Sequence, residues 1–471
     1  MLPRRALAVP SLGLALGLIL GLILGSAAPA RAADLSEAAR WLQGYLRIDT
    51  SNPPGNEQRA AAYLAGLLQK EGIASRQLAT PQGRTSLWAR LSSPGSSGRA
   101  VLLLHHMDVV PPGPDWTVPP FAGLVKDGKL WGRGAVDDKS LGIAYLAAFA
   151  DLKRRRVPLE RDVIFLAVAD EESGGFQGTG WLLAHHPELF QGVEAVLGEG
   201  GRSQVSAQGS KNRLMWWGIE VAQKRPLWLE VSTSGRGGHA SGLNPESANH
   251  VLIQALARLL ARPSRWRVTA PARDYLKAIA PLHGEPMRHI LSDIDKSVTE
   301  SGPKDFLLPG MANLFLDTVQ VTVLSGGARI NVIPAQASAL LDIRLLPDTD
   351  GDAFLAGVRQ VLGKECEVKV LVTAPPTAPS PASGRMYAAM QKVLGTEALV
   401  APTFVPGFTD SRFFRERRIP AYGLSPFALS GDDTRGIHNP DERIPLAELD
   451  RGVERMRRIL AVYAAAPAAR H

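Results

Sequence analysis

Three short apolar runs in the first two hundred residues end in the same way. Residues 99–106 ("RAVLLLHH") lead into Asp108, 162–169 ("DVIFLAVA") into Asp170, Glu171 and Glu172, and 193–198 ("VEAVLG") into Glu199. Runs this short and apolar read as buried strands, and helix-like segments at 138–156 and 178–186 separate them. Strands and helices in alternation predict an α/β domain with a mainly parallel central sheet. In such a sheet, sites form at the carboxyl ends of the strands, where these charges collect.

Near residue 225 the pattern changes. "LWLEVSTSG" alternates like a half-exposed strand, "NPESANHVLIQALARLLA" reads as a helix, and "FLDTVQVTVL" and "QASALLDIRLL" read as long antiparallel strands. That combination predicts an inserted α+β domain. From about 350 the α/β character returns, with a helix at 351–362 and the strand "CEVKVLV". The expected division is 33–224 and 344–471 for the two parts of the main domain and 225–343 for the insert.

Residues 1–32 stand apart. Arg4 and Arg5, the apolar "ALAVPSLGLALGLILGLILG" and the small residues of "SAAPARA" have the order of a secretory signal peptide, with cleavage expected before Ala33. The expectation is a periplasmic or secreted protein without a stable membrane anchor after cleavage. Of the net charge of +8, Arg4, Arg5 and Arg31 supply a part that leaves with the signal. No basic patch interleaved with aromatics occurs, and "KRRR" at 153–156 reads as a solvated helix end, so no nucleic-acid partner is expected. Cys366 is the only cysteine, which excludes an intramolecular disulfide and a thiolate metal cluster. A metal would therefore be held by His, Asp and Glu.

Side chains alternate along a strand, so His106 and Asp108 share a face that His105 does not. A carboxylate on the second nitrogen of His106 fixes the tautomer that a metal ligand needs. In "LWGRGAVDDK" the glycines miss the dinucleotide spacing, and Asp137 and Asp138 precede a helix. One aspartate suffices as an N-cap, which leaves one over. The carboxylates at 170–172 repel one another unless a cation is present. His438 stands in the polar loop "GIHNPDERI". Two histidines with several carboxylates suit zinc, or cobalt or manganese in its place, and are enough for two ions sharing one carboxylate.

In their order along the chain, these motifs resemble those of the M20 metallopeptidases: glutamate carboxypeptidases, aminoacylases, succinyl-diaminopimelate desuccinylases and, most closely, the carboxypeptidase S and N-acyl-amino-acid hydrolase branch. The resemblance implies a zinc-exopeptidase-like catalytic domain interrupted by a lid or dimerisation domain, with two Zn2+ per subunit. It implies metal ligands His106, Asp137 (bridging), Glu172, Glu199 and His438, with Asp108 behind His106, Glu171 as general base and a cis bond between Asp137 and Asp138. His105, where the family commonly has glycine, is expected to be a neighbour and not a ligand. "GRGGHAS" resembles the lid signature, whose histidine, here His239, reaches the partner subunit's site in a homodimer. "NVIP" and "DIR" supply Asn331 and Arg344 for a substrate carboxylate, and "PGFTDSRFF" places Thr409 and Asp410 near the pocket. The implied substrates are N-acyl amino acids or small peptides cut at the C-terminal residue. Two other readings compete. A co-catalytic zinc aminopeptidase or dipeptidase shares the ligands but has no need of the "GRGGHAS" module. An exported binding protein for carboxylated ligands has no need of Glu171 beside a full ligand set.

Overall fold

The computed structural model describes residues 35–208, 211–299, 302–303 and 311–466, so the signal-peptide assignment lies outside the described residues. A nine-stranded mixed sheet forms the scaffold. Its centre is parallel: Asp162–Val168, Ala100–His106, Val193–Gly198 and Ala421–Gly423 lie side by side in that order. Antiparallel pairs flank this centre, with Thr85–Leu91 on Asp162–Val168 at one side and Lys211–Gln223 on Ala421–Gly423 at the other. Every residue of Ala100–His106 and Asp162–Val168 is buried, as the unbroken apolar runs require of strands covered on both faces.

The helix Lys139–Arg154 lies against this sheet and is buried along most of its length. Its small residues allow that approach, and Gly142 is needed outright. A Cβ there would lie 2.2 Å from the ring of His105. We expect Gly142→Ala to destabilise the fold by about 1–3 kcal/mol, the usual cost of overpacking, read by urea denaturation. The loss should shrink in a His105→Ala background; equal losses in both backgrounds would contradict this packing account.

A second sheet is antiparallel throughout, in the order Thr318–Ser325, Gln336–Leu345, Arg225–Ser234, Cys366–Thr373. Burial alternates along Gln336–Leu345, and helices Ala248–Leu260 and Gly351–Leu362 supply Leu252, Leu256, Val358 and Leu362 to its covered face. Three segments pack elsewhere than the sequence division places them. Cys366–Thr373 and Gly351–Leu362 belong to this second sheet, because the strand alternates polar and apolar residues and has one face to cover. Ala270–Ile279, inside the expected insert, sends Tyr275, Leu276 and Ile279 against Trp216, Ala401 and Phe404 of the main sheet. Among the described residues no helix is long and apolar enough to cross a membrane.

Candidate metal centre

Because three parallel strands end side by side, His106, Glu171–Glu172 and Glu199 meet at one edge of the sheet. A three-stranded sheet of Leu124–Lys126, Lys129–Trp131 and Arg443–Pro445 brings in the remaining members, Asp137 and His438, from opposite ends of the chain. His106 Nε2 is 3.0 Å from Asp137 Oδ1 and 3.8 Å from Glu199 Oε2. His438 Nε2 is 3.0 Å from Asp137 Oδ2 and 3.4 Å from Glu172 Oε2. Asp137 thus turns one oxygen to each histidine, and the bond from Asp137 to Asp138 is cis. His438 has φ 57°, in the left-handed region.

The support of His106 differs from the expected form. Its Nδ1 lies 2.9 Å from the Asp108 carbonyl oxygen, while the Asp108 carboxylate is 3.6 Å away. A carbonyl can only accept, so Nδ1 carries a proton, and it is Nε2, set against Asp137, that would give up its own proton to offer a lone pair to a metal ion. The Asp108 carboxylate instead accepts the backbone N–H of Glu171 and of Glu172, both at 3.1 Å, and the Asn52 amide at 2.7 Å. It shapes the acidic turn. His105 points the other way, between Tyr45 and Phe165, and burial with the neighbouring His106 holds its pKa down to about 3.

The donor set fits divalent cations. His106, Asp137 and Glu172, and again His106, Asp138 and Glu199, each offer ligand atoms within 4.8 Å of one another. Burial and the neighbouring carboxylates push Glu171 and Glu199 well above the usual carboxylate range. Buried oxygens Oε1 of Glu172 and Oδ2 of Asp138 have no hydrogen-bond partner. Burial opposes charge on Asp137, but hydrogen bonds from His106 and His438 hold it well below its ordinary pKa. His438 is pushed up to about 10 by its hydrogen bonds to Asp137 and Glu172. So many acids around two imidazoles are stable together only with positive charge among them. Asp138 stands at the N-cap of Lys139–Arg154 without making the capping bond, so the spare aspartate is free for the cluster.

Asp410 and Thr409 line the floor with His106, Glu171 and Glu199. Asp410 accepts the Thr179 hydroxyl at 2.6 Å and, buried, is raised to about 6. Arg344, His239 and Asn331 lie outside the cluster. Arg344 is ion-paired with Asp342 through Nη2 at 2.9 Å and Nε at 3.2 Å, with its guanidinium 5.2 Å from the Phe408 ring. His239 is exposed and bonded to the Ser241 hydroxyl at 2.8 Å, and Asn331 is exposed. Three residues escaped the sequence reading. Arg84 holds Asp170 at 2.8 Å and Glu57 beneath the acidic turn, Asn52 holds Asp108, and Glu442 holds the loop before Asp137. Arg84 and Asn52 sit in loops that nothing local marks; Glu442 stands four positions after His438.

With this geometry in view, the comparisons with known proteins agree. Residues 102–462 match the model of peptidase family M20/M25/M40. Human aminoacylase-1 is 29% identical over 437 residues, 90% of this chain and 94% of that protein. A succinyl-diaminopimelate desuccinylase from a Methylobacterium species is 30% identical, with 89% and 94% covered. Among solved structures, an M20 family metallo-carboxypeptidase from Sulfolobus solfataricus aligns with a TM-score of 0.69 at 21% identity, covering 91% of this chain and 99% of that one. The catalytic α/β fold with its separate lid sheet, the paired-histidine acidic cluster and the sequence match together place this chain in the M20 metallopeptidase family, as a metallo-hydrolase of aminoacylase and carboxypeptidase type.

Proposed function

We propose that the protein is an exported di-zinc hydrolase that cleaves the amide bond of N-acyl amino acids or the C-terminal peptide bond of small peptides. The observation that carries this reading is Asp137, one carboxylate with an oxygen on each of two histidines, beside a Glu171 that belongs to neither ligand group. His106, Asp137 and Glu199 would hold one ion, and His438, Asp137 and Glu172 the other. Divalent ions held there supply Lewis acidity to the scissile carbonyl and to the attacking water.

The chain's own groups do the rest. The Glu171 carboxylate takes a proton from water as the water oxygen attacks the carbonyl carbon, and returns it to the amine nitrogen as the C–N bond breaks. Asp108 orients Glu171 through its backbone N–H. Asp342 occupies Nε and Nη2 of Arg344, which leaves Nη1 for the substrate carboxylate; Asn331, whose carbonyl accepts the Ala240 N–H, sits with His239 at the other end of Gln336–Leu345 and would act with it. His239, from the second subunit of a homodimer formed through the lid, donates to the developing oxyanion. The exported location follows from the signal-like 1–32 segment.

The test is amine release from a panel of C-terminal dipeptides and N-acetyl, N-succinyl and N-fatty-acyl amino acids, each also as its amide. Chelator-sensitive release that needs the free carboxylate supports the reading and names the acyl class; release from amides at equal rates contradicts the carboxylate anchor. Arg344→Met should raise KM by about 10- to 100-fold with kcat little changed, the size of one charge-assisted hydrogen bond. An unchanged KM would remove Arg344 from substrate binding.

A further inference from the structure

Glu442 is fully buried and makes four hydrogen bonds with its two carboxylate oxygens. Oε2 accepts from Arg133 Nη1 at 2.7 Å and from the Gly134 N–H at 2.9 Å. Oε1 accepts from the N–H of Val136 at 2.7 Å and of Asp137 at 3.0 Å. Its own backbone carbonyl accepts the Gly132 N–H at 2.9 Å. Every partner is a donor and none can accept, a pattern that suits the carboxylate form against the upward push of burial and the neighbouring Asp137.

This places one carboxylate across two distant segments. It is four residues beyond His438, on the loop that continues into the Arg443–Pro445 strand, and it grips the 132–137 loop that ends in Asp137. Asp137 and His438 are themselves 3.0 Å apart. Packing holds this loop pair tightly: a Cβ on Gly436 would lie 2.5 Å from the Glu442 Cα.

We propose that Glu442 is a positioning residue for the metal pair: by clamping Arg133 and the backbone N–H groups of Gly134, Val136 and Asp137 it fixes Asp137 against His438, so that the shared carboxylate would meet both ions without rearrangement. This rests on the two-metal reading above, and it goes beyond it by assigning the registration of the two ligand-bearing loops to a group that touches neither ion. Glutamine at this position would turn an NH2 either toward the Val136 and Asp137 N–H groups or toward Arg133 and the Gly134 N–H, in each case losing two acceptor bonds and setting donors face to face.

The test is titration of metal-free full-length protein with Co2+ alone, followed by visible absorption, together with the thermal midpoint of the metal-free form. For Glu442→Gln we expect at least one Co2+ to bind tenfold or more weakly, with an altered ligand-field spectrum. A purely structural role would lower the thermal midpoint and leave affinities and spectrum as in the wild type; that result overturns the proposal. If Glu442→Gln does not yield folded protein, Glu442→Asp serves, since it keeps the charge but falls one methylene short of the amides. Its Co2+ spectrum should also shift, and an unshifted spectrum overturns the proposal equally. A wild-type protein that binds no Co2+ would remove the two-metal reading and this inference with it. Wild-type binding with unchanged variants removes this inference alone.

Discussion

Glu171→Gln should keep both ions and lose about 100- to 10,000-fold in kcat, the range of a positioned general base. The reason is the division of labour in the acidic turn. Glu172 lies in a ligand group with His106 and Asp137, whereas Glu171 lies in neither. Its placement comes from the backbone, through the Asp108 carboxylate, and glutamine keeps that N–H. Metal content by elemental analysis should therefore equal that of the wild type while steady-state turnover collapses. Turnover within a few-fold of the wild type would exclude Glu171 as the base. Loss of a metal would make it a ligand instead.

Asp137→Ala should have the largest effect on metal binding. Its two oxygens face His106 and His438 separately, so on the two-ion reading the substitution removes a ligand from both ions. Losing a supporting partner of a ligand costs about 10- to 100-fold in affinity; losing a shared ligand should cost more than that for each ion. Calorimetric titration with Zn2+ would show both sites weakened together. Weakening of a single site would mean that Asp137 does not bridge. Asp138→Asn is the informative comparison, because it alters only the group formed with His106 and Glu199.

The core of this site was legible because its members end apolar strands. His106, Glu171, Glu172 and Glu199 each follow a run whose burial the sequence makes plain, and parallel pairing then sets three strand ends together. Asp108 was legible as a neighbour of His106 but not in its action. Alternation along a strand places a side chain on a face; it does not say that the carbonyl, and not the carboxylate, meets the imidazole. Glu442 and Arg84 were invisible for a different reason. Their partners lie far away in sequence, Arg133 and Asp137 for one and Glu57 and Asp170 for the other, and no local pattern encodes a contact closed by the whole fold. In the second sheet the missed signal was present. "CEVKVLVT" alternates polar and apolar residues, the pattern of a strand with one covered face, and it differs from the unbroken apolar runs of the main sheet.

The most direct test of the whole account is hydrolysis measured against metal added. Metal-free protein is titrated with Zn2+, and amine release from the best substrate of the panel is followed at each step. A two-metal hydrolase should show no release without metal, a rise with added ion, a plateau at two ions per chain and loss of activity on chelation. Undiminished release from the metal-free protein, or a chain that binds no zinc at this cluster, would contradict it.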